Sequence, residues 1–117
     1  MPRQPVHTDR APAAIGPYSQ AVQRGGMVFL SGQIPLDPSS GLIVEGDIEV
    51  QARRAFDNLR AVCEAAGGTL DDVVRLGLYL TDLGQFAQVN QVMAEYFTAP
   101  FPARSIWGIR GNRRNRR

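Results

Sequence analysis

GDIEVQARRAFDNLRAVCEAAGGTLDDVVRLGLYL, residues 46–80, contains a change of period. Asp47 is a side chain suited to capping a helix. After it Ala52, Ala55, Phe56, Leu59, Val62, Cys63 and Ala66 recur at three- and four-residue spacing until Gly67-Gly68. That pattern predicts one amphipathic helix with a glycine stop. Beyond the glycines the period becomes two: Val74, Leu76, Leu78 and Leu80 alternate with Val73, Arg75, Gly77 and Tyr79, as in a strand with one face on a core. Cys63 falls inside the helical apolar stripe and reads as a buried thiol rather than a reactive one.

Upstream, YSQAVQR and MVFLSGQI flank Gly25-Gly26. Two strands joined by a two-glycine turn fit, because tight hairpins require positive φ. LDPSSG follows as a loop, and LIVEG is at most a short strand. Downstream, a second helix is expected to begin near Gly84 or Gln85, with Phe86, Val89, Val92, Met93 and Tyr96 on one side, and to stop before the proline-rich TAPFPA. ARSIWGIR then reads as a last strand. The order strand, strand, helix, strand, helix, strand predicts an α+β domain with two helices on one face of a mixed sheet. The other sheet face, to which Tyr79 and Arg75 point, needs a cover. Packing copies of the chain together is one way to supply it.

At 117 residues, 44% apolar and 21% charged, the chain has material for one core and one domain. No stretch approaches the roughly 20 apolar residues of a membrane span, and MPRQPVHTDR lacks the apolar middle of a signal peptide. A cytoplasmic protein without membrane contact is expected. Cys63, the single cysteine, has no intrachain partner for a disulfide. No cysteine metal cluster is available, and the lone His7 falls in a terminal segment read as loose, so no metal is expected. All 13 basic residues are Arg, against 11 acidic ones, and five of the Arg lie in the last eight residues. The rest of the chain holds eight Arg against eleven acids, a net charge of −3, so the basic character belongs to the tail.

The chain has no GxSxG elbow, no phosphate-cradling glycine loop, no HExxH and no CxxC. Arg, Tyr, Ser, Asn, carboxylates and water remain as the groups with which to do chemistry.

Three segments nevertheless stand out: APAAIGPYSQAV at 11–22, VFLSGQIPLDP at 28–38 and FPARS at 101–105. Across residues 11–105 the sequence resembles the Rid family, the reactive-intermediate deaminases also called YjgF-type, or labelled endoribonuclease L-PSP and translation inhibitor. The resemblance implies a chorismate-mutase-like fold of the bacillus type, a homotrimer whose sheets form an inner barrel, and clefts at the subunit interfaces. It implies hydrolysis of 2-imino acids (2-iminobutanoate, 2-iminopropanoate) to 2-oxo acids and ammonia, without cofactor or metal. On it, residues 1–109 form one Rid-like domain and residues 110–117 an atypical Arg-rich tail.

Carried onto this sequence, the resemblance makes Arg104 and Tyr18 the catalytic pair, with Ser31, Gly32 and Asn90 also binding substrate. The chemistry suits Arg104, since a planar guanidinium grips a carboxylate through two parallel charge-assisted hydrogen bonds that Lys cannot reproduce. Taken singly, each residue has a plainer reading. Arg104 is then a surface charge, Tyr18 a half-buried strand aromatic, Ser31 and Gly32 a bulge or close crossing, and Asn90 a solvated helix residue.

The sequence departs from the family pattern after PARS. The family continues through a strand of the type VEIEAIA whose glutamate positions the attacking water, whereas this sequence reads IWGIRGNRRNRR. Ile106 also stands where deaminase members often carry Cys. A positioned acid or base contributes about 10²–10⁴ in rate, so weakened or lost hydrolysis is one expectation. A carboxylate-binding trimer without turnover is therefore a second reading. A third is an RNA-acting protein, as the family's endoribonuclease and translation-inhibitor labels imply, although the usual ribonuclease constellation of His with Lys or Glu is not evident. Separately, the Arg-rich tail could bind phosphates, but no aromatic residue interrupts Arg110–Arg117, so nucleic acid is the less expected partner.

Overall fold

The computed structural model describes residues 2–109. The Arg-rich tail, 110–117, lies outside the described residues, and its reading is not addressed by them. Seven elements follow in order: β1 (Gln4–Val6), β2 (Ala21–Arg24), β3 (Met27–Leu30), α1 (Ile48–Ala65), β4 (Arg75–Leu80), α2 (Phe86–Tyr96) and β5 (Ala103–Gly108). Single 3-10 turns, Leu70–Asp72 and Leu83–Gln85, introduce β4 and α2.

Local chemistry sets the ends of α1. Asp47 Oδ1 accepts from the Val50 N–H at 3.0 Å, satisfying one of the amides that a helix start leaves open. At the other end the chain leaves through Gly67 at φ +92°, a conformation that costs glycine little. The hairpin forms as the glycines predict: β2 and β3 pair antiparallel to Arg24↔Met27, and Gly25 takes φ +63°.

Three differences from the sequence reading are instructive. The N-terminal segment is not a loose lead-in, since β1 pairs antiparallel with β2 from Gln4↔Gln23 to Val6↔Ala21. Val74 is 80% exposed and Val73 packs on the core, the reverse of the expected alternation. The cause is the 3-10 turn before it, because the Val73 N–H still donates to Leu70 O and the strand period starts only at Arg75. The strands also form two sheets rather than one. One is antiparallel with order β1-β2-β3, and the other is the parallel pair β4-β5. Leu30 of β3 and Leu76 and Leu78 of β4 reach the same core through their side chains.

That core is Ala52, Phe56 and Cys63 of α1 against Val89, Val92 and Met93 of α2, closed by Leu70 and Phe97. A second cluster, Ala11, Ala21, Ala61 and Val62, seats the hairpin on the other flank of α1. Phe56 stacks on Tyr96 at 5.3 Å and meets Phe97 edge-on at 6.0 Å. Arg53 clamps Glu95 across the two helices with bonds of 2.7 and 3.3 Å. The outward face of β4-β5 holds Tyr79 and Trp107 side by side in register, 64% and 53% exposed, and the Arg75 guanidinium donates to Ser105 Oγ at 3.0 Å beside them.

Two groups make the fold sensitive to alkali. Burial, the hydrogen bond to Asp57 and that carboxylate's charge push the Tyr96 phenol up from 10.0 to about 12. Burial, with Asp72 and Glu64 nearby, pushes the Cys63 thiol above its ordinary 9.0. Both shifts are upward, so their stabilisation is complete below pH 9 and is lost as the pH climbs through 9 to 12. Urea midpoints are expected to fall over that window, and Tyr96→Phe is expected to flatten the upper half of the decline.

Candidate functional site

The predicted site residues fall into two groups. In the first, Arg104 sits on β5 opposite Leu76 and faces α2. Its Nη1 donates to Asn90 Oδ1 and to Met93 Sδ, the latter at 3.4 Å. Its guanidinium carbon lies 5.2 Å from the centroid of the Phe86 ring. Phe86, Asn90 and Met93 share one face of α2 by their four- and three-residue spacing. Among the described residues no carboxylate pairs with Arg104; Arg10, Arg53 and Arg60 have carboxylate partners, whereas Arg3, Arg24, Arg54 and Arg75 form no ion pair there either. What sets Arg104 apart is its mounting on uncharged groups of α2. An Arg mounted over a helix without a counter-ion is chemically an anion receptor. Asn90, expected as a ligand contact, spends its Oδ1 on this Arg.

The second group surrounds a cavity of about 130 Å3 lined by Pro12, Tyr18, Gly32, Gln33, Ile34 and Leu36, among others. Tyr18 is 54% exposed, presented by a turn in which its N–H donates to Gly16 O at 2.9 Å. Ser31 Oγ donates to Ser19 O at 2.6 Å, which uses the hydroxyl hydrogen and leaves the oxygen only as an acceptor. A Cβ at Gly32 would meet nothing within 4 Å, so this chain by itself does not demand glycine there.

Among the described residues no hydrogen bond joins the two groups, Arg104 and Asn90 on one side and Tyr18, Ser31 and Gly32 on the other. A larger cavity, about 260 Å3, lies between Leu70, Asp71, Phe97, Thr98 and Pro100 and includes none of the five. Among the described residues no cluster of His, Cys, Asp and Glu could hold a metal ion, and His7 reaches only Asp9, in an exposed contact.

Two buried amides that the sequence motifs do not single out hold the surroundings of the second group. Gln20 Oε1 accepts the Thr8 N–H at 2.7 Å, and its Nε2 donates to the carbonyls of Thr8, Ala11 and Pro12. Asn58 donates to Ile34 O and Leu36 O at 3.2 and 2.9 Å and accepts from Arg54 Nε. One visible signal existed for Asn58: a polar residue between Ala55 and Val62 in an otherwise apolar stripe. Burying an amide is tolerable only when its hydrogen bonds are met, as they are here. Gln20→Ala is expected to cost about 2–3 kcal/mol, since it strands buried partners, and to open residues 8–12 to protease. Limited proteolysis with a parallel melt checks both effects.

The family model described as "Endoribonuclease L-PSP" matches residues 8–114. Protein DfrA of Myxococcus xanthus is 55% identical over 107 residues, covering 90% of this chain and 82% of its own. The 2-iminobutanoate/2-iminopropanoate deaminase of Salmonella typhimurium is 48% identical over 103 residues, covering 86% and 80%. Among solved structures, E. coli TdcF with bound serine superposes with a TM-score of 0.88 at 40% identity, covering 94% of this chain and 88% of that one.

Proposed function

The chain belongs to the endoribonuclease L-PSP or Rid family, and from that premise we propose that it hydrolyses small 2-imino acids to 2-oxo acids and ammonia, with Arg104 as the carboxylate clamp. The observation that carries the proposal is the Arg104 guanidinium, oriented by uncharged groups and without a carboxylate partner among the described residues. A 2-imino acid offers the matching anion. Serine, the molecule named with the E. coli relative, carries the same carboxylate group. In the reaction water adds to the C=N carbon, the carbinolamine collapses to the C=O product, and the nitrogen leaves as ammonia. Arg104 fixes the substrate by its carboxylate so that the neighbouring imine carbon is presented in one orientation. Tyr18 contributes a wall and a phenol hydroxyl able to pass a proton.

Arg104 and Tyr18 sit in separate halves of one chain, so the working cleft requires two copies, each supplying one half. A homotrimer answers this and also covers the outward face carrying Tyr79 and Trp107. Light scattering is expected to give a mass three times 12.8 kDa. Trp107, the single tryptophan, should emit as a buried indole in the assembly and shift to the red in Tyr79→Glu. A monomer with an exposed indole would remove the shared cleft.

One observation favours a second reading, a trimer that binds 2-oxo acids without turnover. Among the described residues neither group offers a carboxylate to activate water: none contacts Arg104, and none lines the cavity of about 130 Å3. An amino-acid dehydratase that generates 2-iminobutanoate in amine-free buffer separates the two readings. Faster ammonia release on adding the protein supports deamination, and 2-oxo-acid binding without acceleration supports the receptor. The nuclease named in the family's description finds little support here: the one histidine, His7, is surface-exposed beside Asp9.

A further inference from the structure

We infer that α2 withdraws the Nη1 end of Arg104 from ligand binding, so that the Nε–Nη2 edge takes the carboxylate, and that Phe86 and Met93 are the positioning residues that hold it so. This rests on the carboxylate-clamp reading and adds to it the geometry of approach.

A guanidinium has five N–H groups: two on Nη1, two on Nη2 and one on Nε. The two hydrogens of Nη1 have two acceptors, Asn90 Oδ1 and Met93 Sδ at 3.4 Å. Among the described residues Nη2 and Nε donate to none. These two nitrogens form one edge of the fork, with parallel N–H vectors whose spacing matches the oxygens of a carboxylate.

The third contact sets the tilt. The Phe86 ring lies 5.2 Å from the guanidinium carbon, which holds the cation by the π face and restricts rotation of its plane. Met93 is buried in the core, so its sulfur is a fixed point rather than a swinging one. An Arg side chain otherwise surrenders its rotamer freedom when a ligand binds. Here much of that loss occurs on folding, which is preorganisation for the ligand.

The chemistry of the cradle is also selective. An amide oxygen, a thioether and an aromatic face orient a cation without neutralising it. A carboxylate in any of the three places would pair with Arg104 and compete with the ligand. Asn90 is thereby a positioning residue as well, acting through Arg104.

The test uses the full chain labelled with 15N, following the Arg104 Nε and Nη resonances while a 2-oxo acid is titrated in. The expected result is movement of Nε and Nη2 with Nη1 nearly still. Met93→Leu preserves volume and loses only the acceptor, and Phe86→Leu loses the ring while remaining apolar. Each is expected to raise the 2-oxo-acid Kd by about three- to thirtyfold with the fold's melting intact, and Phe86→Tyr is expected to restore binding. Nη1 shifting as much as Nη2 would overturn the inference. So would both variants binding within twofold of wild type when Arg104→Ala has lost binding. If Arg104→Ala binds normally, the clamp reading has failed and the inference falls with it.

Discussion

Arg104→Ala is expected to weaken 2-oxo-acid binding by about 100-fold or more and to abolish any acceleration of ammonia release. Removing one partner of a desolvated charge-assisted pair costs about 2–5 kcal/mol, and in the proposed cleft between copies Arg104 would lose its water. The rest of the protein should barely register the change. Arg104 is exposed in the single chain and its contacts are to Asn90, Met93 and Phe86, so the fold loses one exposed cation of β5 that lies over α2. Arg104→Lys keeps the charge and loses the fork, and should recover only a small part of the affinity. Calorimetric titration of the three proteins checks the order. Equal affinities would show that the ligand is held elsewhere.

Phe56→Ala should have the largest effect on stability. Phe56 is the hub of the main core, touching Tyr96 and Phe97 and lying between α1 and α2. Truncation removes buried ring surface and leaves a cavity that two packed helices cannot close, a loss of about 3–5 kcal/mol. Marginally stable domains have about 5–15 kcal/mol in total, so the variant sits near the edge of folding. Urea denaturation followed by far-ultraviolet circular dichroism measures the loss. A change under 1 kcal/mol would mean that the aromatic cluster does not anchor the helix pair.

The two cases show which parts of the molecule were legible in sequence. Helix α1 could be read because its signals are local: Asp47 before it, a three-four stripe through it and Gly67 after it. The hairpin was legible for the same reason, with Gly25 taking the positive φ of the turn. Strand β1 was not, because Gln4–Val6 is three residues with a proline in the middle and carries no period; it exists by pairing with β2. The phase at Val74 was misread because the 3-10 turn at Leu70–Asp72 reaches one residue further than the alternation suggests.

For the site, the motifs supplied residue identities and little geometry. Fourteen residues separate Asn90 from Arg104, and nothing in either segment announces that the amide oxygen receives a guanidinium hydrogen. That contact depends on β5 lying parallel to β4 and facing α2, which is a property of the whole fold. Nor does the sequence reveal that Tyr18, Ser31 and Gly32 gather on a different part of the chain, held there by the buried amides of Gln20 and Asn58.

A crystal structure of the full chain with a bound 2-oxo acid tests the clamp most directly. The account predicts the ligand's carboxylate at about 2.7–2.9 Å from Nε and Nη2 of Arg104, with Tyr18 of a second copy beside it. A 2-oxo acid seated away from Arg104, for instance between Leu70, Phe97 and Pro100, would contradict it.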